Sequence, residues 1–118
     1  MPRRPILLPL LIACLCAAPT AAGDPQKPRQ HFAAHCDYAE LPNFLIPLKS
    51  IAARDGFSLD ASAPPVATLS HGEQRVLTRF GQPGPNDVDV TRYGAADRQA
   101  DDAYGRIVAL FRFCDPLH

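Results

Sequence analysis

The chain opens with its longest apolar stretch: residues 6–18 are almost unbroken hydrophobic, behind a cationic start at Arg3 and Arg4. Small residues, Pro19-Thr20-Ala21-Ala22, follow at the place where a signal peptidase cuts. The run is shorter than the ~20 apolar residues that a bilayer span needs. Residues 1–22 therefore read as a secretory signal peptide, leaving 96 of the 118 residues for one small domain outside the cytoplasm. Residues 23–31 are polar and proline-bearing without apolar periodicity, and predict a flexible tether ahead of a domain spanning 32–118.

Within that domain two segments carry helical spacing. Over residues 43–54, Phe44, Leu45, Leu48, Ile51 and Ala52 share one face of a 3.6-residue period. Asn43 is placed to cap the start and Gly56 to take the left-handed turn at the end, while Pro47 argues for a later start. Further on, Ser70-His71-Gly72-Glu73 reads as a capping box, with Val76, Leu77 and Phe80 as the buried stripe and Gly81 and Pro83 as the stop. Period-two patterning marks the strands. Phe57-Ser58-Leu59 is a short extended piece, and residues 88–93 turn Val88 and Val90 one way and Asp89 and Thr91 the other. Residues 106–114 are the strongest strand, with Ile107, Ala109, Phe111 and Phe113 on one face and Val108, Leu110, Arg112 and Cys114 on the other. Residues 95–103 form either a long hairpin loop or a short helical turn. The fold class predicted is α+β: two short helices followed by a small antiparallel sheet in a single disulfide-linked domain.

Charge narrows the partners. With Arg3 and Arg4 removed, the domain carries 10 basic and 12 acidic side chains and no basic block, which argues against nucleic acid. No cationic amphipathic helix is present, so membrane contact is expected only through a lipid anchor. Cys14 and Cys16 fall in the signal, whereas Cys36 and Cys114 bracket the domain. In an oxidising compartment the latter two predict one disulfide, whose long loop is worth about 4 kcal/mol by chain entropy. Leu11-Ile12-Ala13-Cys14 resembles a bacterial lipobox and offers an alternative route, with Cys14 lipidated and the protein held at the outer membrane. Against it, only thirteen residues including Pro9 precede Cys14, and lipidation would leave Cys16 unpaired.

Residues 69–83, with Gly72 before a short helix holding Val76 and ending Phe80-Gly81-Gln82-Pro83, resemble a segment of small outer-membrane lipoproteins of the SmpA/OmlA type, which assist the β-barrel assembly machinery. The resemblance covers about fifteen residues, and residues 32–65 show no matching pattern. It implies antiparallel strands after the helix, at residues 88–93 and 106–113, and an envelope-assembly accessory without catalysis.

Candidate chemistry is sparse. His31 and His35 would share a helix face at a chelating separation, followed by Cys36 and Asp37, but HxxxH is frequent by chance and no metal site is assigned. His71, near a helix N-terminus, has the chemistry of a general base, yet the capping box already accounts for Ser70 and Glu73. Asp87, Asp89, Asp97, Asp101 and Asp102, interleaved with Arg92, Arg98 and Arg106, read as a solvated, partly self-neutralised region rather than a calcium loop. Tyr93, Arg98 and Tyr104 have the residue types of interface hot spots and are the expected partner-binding cluster, on a protruding loop at 94–105. No nucleophile elbow, phosphate loop or zincin motif occurs, so neither catalytic residue nor cofactor is assigned. The expected function is that of an exported, non-enzymatic envelope protein, periplasmic or secreted, acting on another envelope or periplasmic protein. The alternative is a periplasmic inhibitor or immunity protein directed at a hydrolase or toxin.

Overall fold

The structure, a computed structural model, describes residues 27–117. The expected signal peptide, the Cys14 lipidation site and residues 23–26 of the tether lie outside the described residues. Eight elements follow one another: β1 (Gln30–His35), α1 (Leu41–Asp55), β2 (Ser58–Ala63), β3 (Val66–His71), β4 (Gln74–Phe80), β5 (Asp87–Tyr93), α2 (Arg98–Leu110) and β6 (Asp115–Pro116). The strands form one antiparallel sheet in the order β2-β3-β4-β5-β1-β6. The α+β class and the disulfide are as expected, whereas the order is not: the helices are interleaved with the strands rather than preceding them.

Two elements change type. The segment expected as the second helix is the hairpin β3–β4, in which His71 pairs with Gln74 across a two-residue turn. Gly72 stands first in that turn at φ 59, the requirement of a type II′ hairpin, so Glu73, which with Ser70 imitates a capping box, is a turn residue here. The buried stripe is Val76, Thr78 and Phe80, at period two, with Leu77 on the other face. The short helix on which the SmpA/OmlA resemblance rests is therefore replaced by strand. Conversely, the segment expected as the strongest strand lies mostly in α2. Asp97 caps it, its Oδ2 accepting from the Ala100 amide at 2.8 Å, and Ala100, Ala103 and Ile107 are buried at helical spacing. Of the two readings left open for residues 95–103, the helical one holds, and α2 is longer than a turn.

α1 starts at Leu41 with Glu40 at its cap, earlier than expected. Pro42 occupies the first turn, where its missing N–H is no loss, and Pro47 lies within the helix. Asn43 is in the first turn and donates from Nδ2 to the Tyr38 carbonyl at 3.3 Å instead of capping. Gly56 ends the helix at φ 76, as its position predicts. β1 begins at Gln30, inside the span read as tether.

Both helices cover one face of the sheet. Leu48 and Ile51 from α1, Ala103, Ile107 and the following Phe111 from the α2 side, and Leu69, Val76, Val88 and Val90 from the strands make the core. Phe44, Phe80 and Phe111 close one end, with ring centroids 4.9 to 6.0 Å apart. On the same face, fully buried Arg92 takes the place of a hydrophobe. Its guanidinium donates to Gln30 Oε1 at 2.7 Å, to the Ala95 carbonyl at 2.9 Å and to the Asp101 carboxylate. One side chain thus joins β1, β5, the loop after β5 and the first turn of α2.

The Cys36–Cys114 disulfide, with Cα atoms 4.9 Å apart, ties the loop after β1 to the segment after α2. β6 then pairs with the edge of β1, and the Leu117 amide donates to the Ala33 carbonyl at 2.8 Å.

Candidate functional site

Strand pleating sends every second side chain away from the helices. On β1 these are His31, Ala33 and His35; on β5 they are Asp87, Asp89, Thr91 and Tyr93; on β4 they include Leu77 and Arg79. None of the described helices covers this face. Its centre is organised around Asp89. The His31 ring nitrogen Nε2 donates to Asp89 Oδ2 at 2.6 Å, and the Thr91 hydroxyl donates to Oδ1 at 2.7 Å. Arg79 Nη1 reaches both Asp89 Oδ1 and Thr91 Oγ1 at 3.4 Å. Pro28, Pro83, Gln82 and Tyr93 border this network and make it the floor of an open groove.

A second histidine–carboxylate set lies along the same strand. His35 Nδ1 is 2.9 Å from Asp87 Oδ1, and its Nε2 is 3.2 Å from Asp37 Oδ1. The Asp87 carboxylate accepts from Nδ1–H and the Asp37 charge faces the other nitrogen, so both favour the protonated ring. The bond to Asp87 accordingly raises the His35 pKa from its ordinary 6.5, and the charges of Asp37, Asp87 and Asp115 add to the effect, against a smaller opposing effect of burial. Asp87 is itself fixed, because its Oδ2 accepts from the Gly84 amide at 2.9 Å. Elsewhere, Ser62 donates twice to Asp60 and lowers its pKa, while burial, with Asp89 second, raises that of Tyr104.

A raised folded-state pKa contributes stability that is complete below the unfolded value near 6.5 and is lost as pH climbs through the folded value. NMR titration of His35 is therefore expected to give a midpoint above 6.5, and Asp87→Asn is expected to lower it. An unchanged midpoint in that variant contradicts the assignment of cause.

The chelating arrangement considered for His31 and His35 needs a helix. They stand instead on one strand, about 13 Å apart by strand rise, each held by its own aspartate. Among the described residues no group of three or more His, Cys, Asp or Glu is placed to hold a metal ion. His71 ends β3, where its ring lies against Phe57 at 5.6 Å between centroids, rather than near any helix N-terminus.

Tyr93, Arg98 and Tyr104 are not brought together. Tyr93 borders the groove on the uncovered face, whereas Tyr104 packs from α2 against the core on the opposite face. Arg98 is exposed in the first turn of α2, beside Asp55 and Gln99. Because residues 98–105 are helical, the protruding loop expected at 94–105, on which the inhibitor alternative drew, is mostly absent. Nor is the acidic region simply solvated, since Asp101 pairs with buried Arg92, and Arg106 lies 3.6 Å from Asp55.

The exposed apolar side chains fall elsewhere. Tyr38 is 83% exposed and Phe113 is 87% exposed, and Leu117 is also open. All three lie within three residues of a bridged cysteine, whereas Ile46, 81% exposed, stands apart on α1. The Arg112 guanidinium sits 4.7 Å above the Phe113 ring. Period-two reading of residues 106–114 put Phe113 on a buried face beside Phe111, which concealed this cluster; aromatics flanking both cysteines were the available signal. Among the described residues no helix is long and apolar enough to cross a membrane. Compared with family models and with curated proteins, the chain matches none of either.

Proposed function

We propose that this protein is an exported, non-enzymatic envelope or periplasmic protein that works by binding another such protein through the surface around its disulfide. One observation carries the reading: Tyr38 and Phe113, the most exposed large hydrophobics of the described chain, flank the Cys36–Cys114 bridge. Aromatic side chains left in water on a small domain mark interaction surfaces, and Tyr, Phe and Arg are enriched at interface centres. The cross-link holds the two loops together before a partner arrives, which lowers the ordering cost of association.

The test is site-specific photo-crosslinking in the native envelope, with p-benzoylphenylalanine replacing Tyr38, Phe113 or, as a remote control, Glu73 in the β3–β4 turn. A discrete adduct from positions 38 and 113, absent from 73, is expected. Once the adduct partner is identified, Phe113→Ala is expected to weaken binding about tenfold or more, the scale of an interface hot spot. Equal labelling at all three positions, or none, overturns the reading.

A further inference from the structure

The groove on the uncovered sheet face presents donors without matching acceptors. Asp89, its floor, is committed: His31 occupies Oδ2, and Thr91 and Arg79 share Oδ1. Arg79 makes these contacts through Nη1 alone, and its partly exposed guanidinium lines the groove with Nε and Nη2 outside these bonds. Asp89 and Thr91 hold the Arg79 head in place from one side, so its other edge is ordered before any ligand arrives. A guanidinium edge with two parallel N–H groups matches a carboxylate, which it receives bidentately.

The walls say more about the source. Pro28 and Pro83 are apolar, and Tyr93 adds a ring with a hydroxyl. Such a rim suits the chain on either side of an acidic residue. The groove is open along its length, unlike the enclosed cavities that bury most of a small-molecule ligand. A carboxylate already mounted on a protein surface needs no such enclosure.

We propose that this groove is a docking site for the side-chain carboxylate of an acidic residue in a partner protein, received by the free edge of Arg79 with Tyr93 and the two prolines against the neighbouring backbone. The site rests on the partner-binding reading but uses a surface distinct from the disulfide patch. It adds a charge requirement to the partner: an exposed Asp or Glu flanked by uncharged residues.

Short capped peptides test the groove without a known partner. ¹⁵N-labelled protein is titrated with acetyl-Ala-Ala-Glu-Ala-Ala-amide, its Gln counterpart, the Gln peptide with a free C-terminus, and succinate. The Glu peptide is expected to give saturable shifts at the Arg79 Nε–H and at Gln82 and Tyr93, with a Kd of about millimolar order. The Gln amide is expected to give none. Arg79→Gln is expected to abolish the response, and Arg79→Lys to weaken it about tenfold, because a point charge cannot make the paired contact. No saturable shift, equal shifts from Gln, shifts mapping elsewhere, or a response to succinate or the free C-terminus alone each overturns the proposal. Mapping on the unaltered protein keeps the test valid should an Arg79 variant fold poorly. Failure here, with crosslinking intact at positions 38 and 113, removes the groove and leaves the disulfide surface standing.

Discussion

Arg92→Met is expected to destabilise the fold by about 1–3 kcal/mol, the usual effect of leaving the partners of a buried hydrogen-bonding side chain unsatisfied. The side chain is fully buried, and its replacement fills much of the same volume, so packing is not the main loss. What is lost is satisfaction of the acceptors aimed at it: Gln30 Oε1, the Ala95 carbonyl and the Asp101 carboxylate. Asp101 is more than half exposed and can recover hydration, so Asp101→Asn is expected to be the milder change. Arg92→Lys is expected to resemble Arg92→Met more than the parent, since one ammonium cannot span acceptors on β1, the loop after β5 and α2. Urea denaturation of the three variants measures this. A loss below about 1 kcal/mol for Arg92→Met would show that the network contributes no more than a surface pair.

Replacing both bridged cysteines, Cys36→Ser with Cys114→Ser, is expected to remove about 4–5 kcal/mol, because the bridge closes a loop with a sequence separation of 78 residues. The loss arises mainly in the unfolded chain, which regains the freedom that the cross-link denies it. A domain of this size depends on such a contribution, since its core alone leaves a small margin. The urea midpoint is expected to fall by about 2 M or more, given ordinary denaturant sensitivity. The Tyr38 and Phe113 loops also lose their common anchor, so partner binding is expected to weaken even in the folded fraction. Unchanged binding by folded double variant would mean that the two loops are held by other contacts.

The parts of the fold legible in the sequence were those with one periodicity and one set of end signals. α1 has a helical stripe and Gly56 beyond it, and β5 has two inward valines separated by an aspartate. The disulfide followed from compartment chemistry and cysteine count. The β3–β4 hairpin was misread because Val76, Leu77 and Phe80 fit a helix face as well as Val76, Thr78 and Phe80 fit a strand. A buried threonine does not count as apolar, and that tipped the comparison. α2 was misread for the opposite reason: two of the three residues in its buried stripe are Ala100 and Ala103, small residues that hydrophobic counting underweights, while 106–114 happens to alternate. β1 escaped notice because prolines precede it and its only inward apolar side chains are Phe32 and Ala34.

The site suffered from the same parity problem. Asp89 and Thr91 were correctly set on one strand face, but His31 could not be placed opposite them without β1, nor Arg79 beside them without β4. Tertiary pairing of strands distant in sequence created the groove, and no local window contains it.

The position of β1 bears on how the polypeptide reaches this shape as it emerges amino end first from the ribosome. Its first strand has no hydrogen-bonding neighbour until β5 appears, and its other edge waits for β6, the last of the described strands. The early segments therefore cannot complete the sheet by themselves, and its order is finished only once β5 and β6 are present. Pairing strands so distant in sequence slows folding relative to a fold built from adjacent pairings.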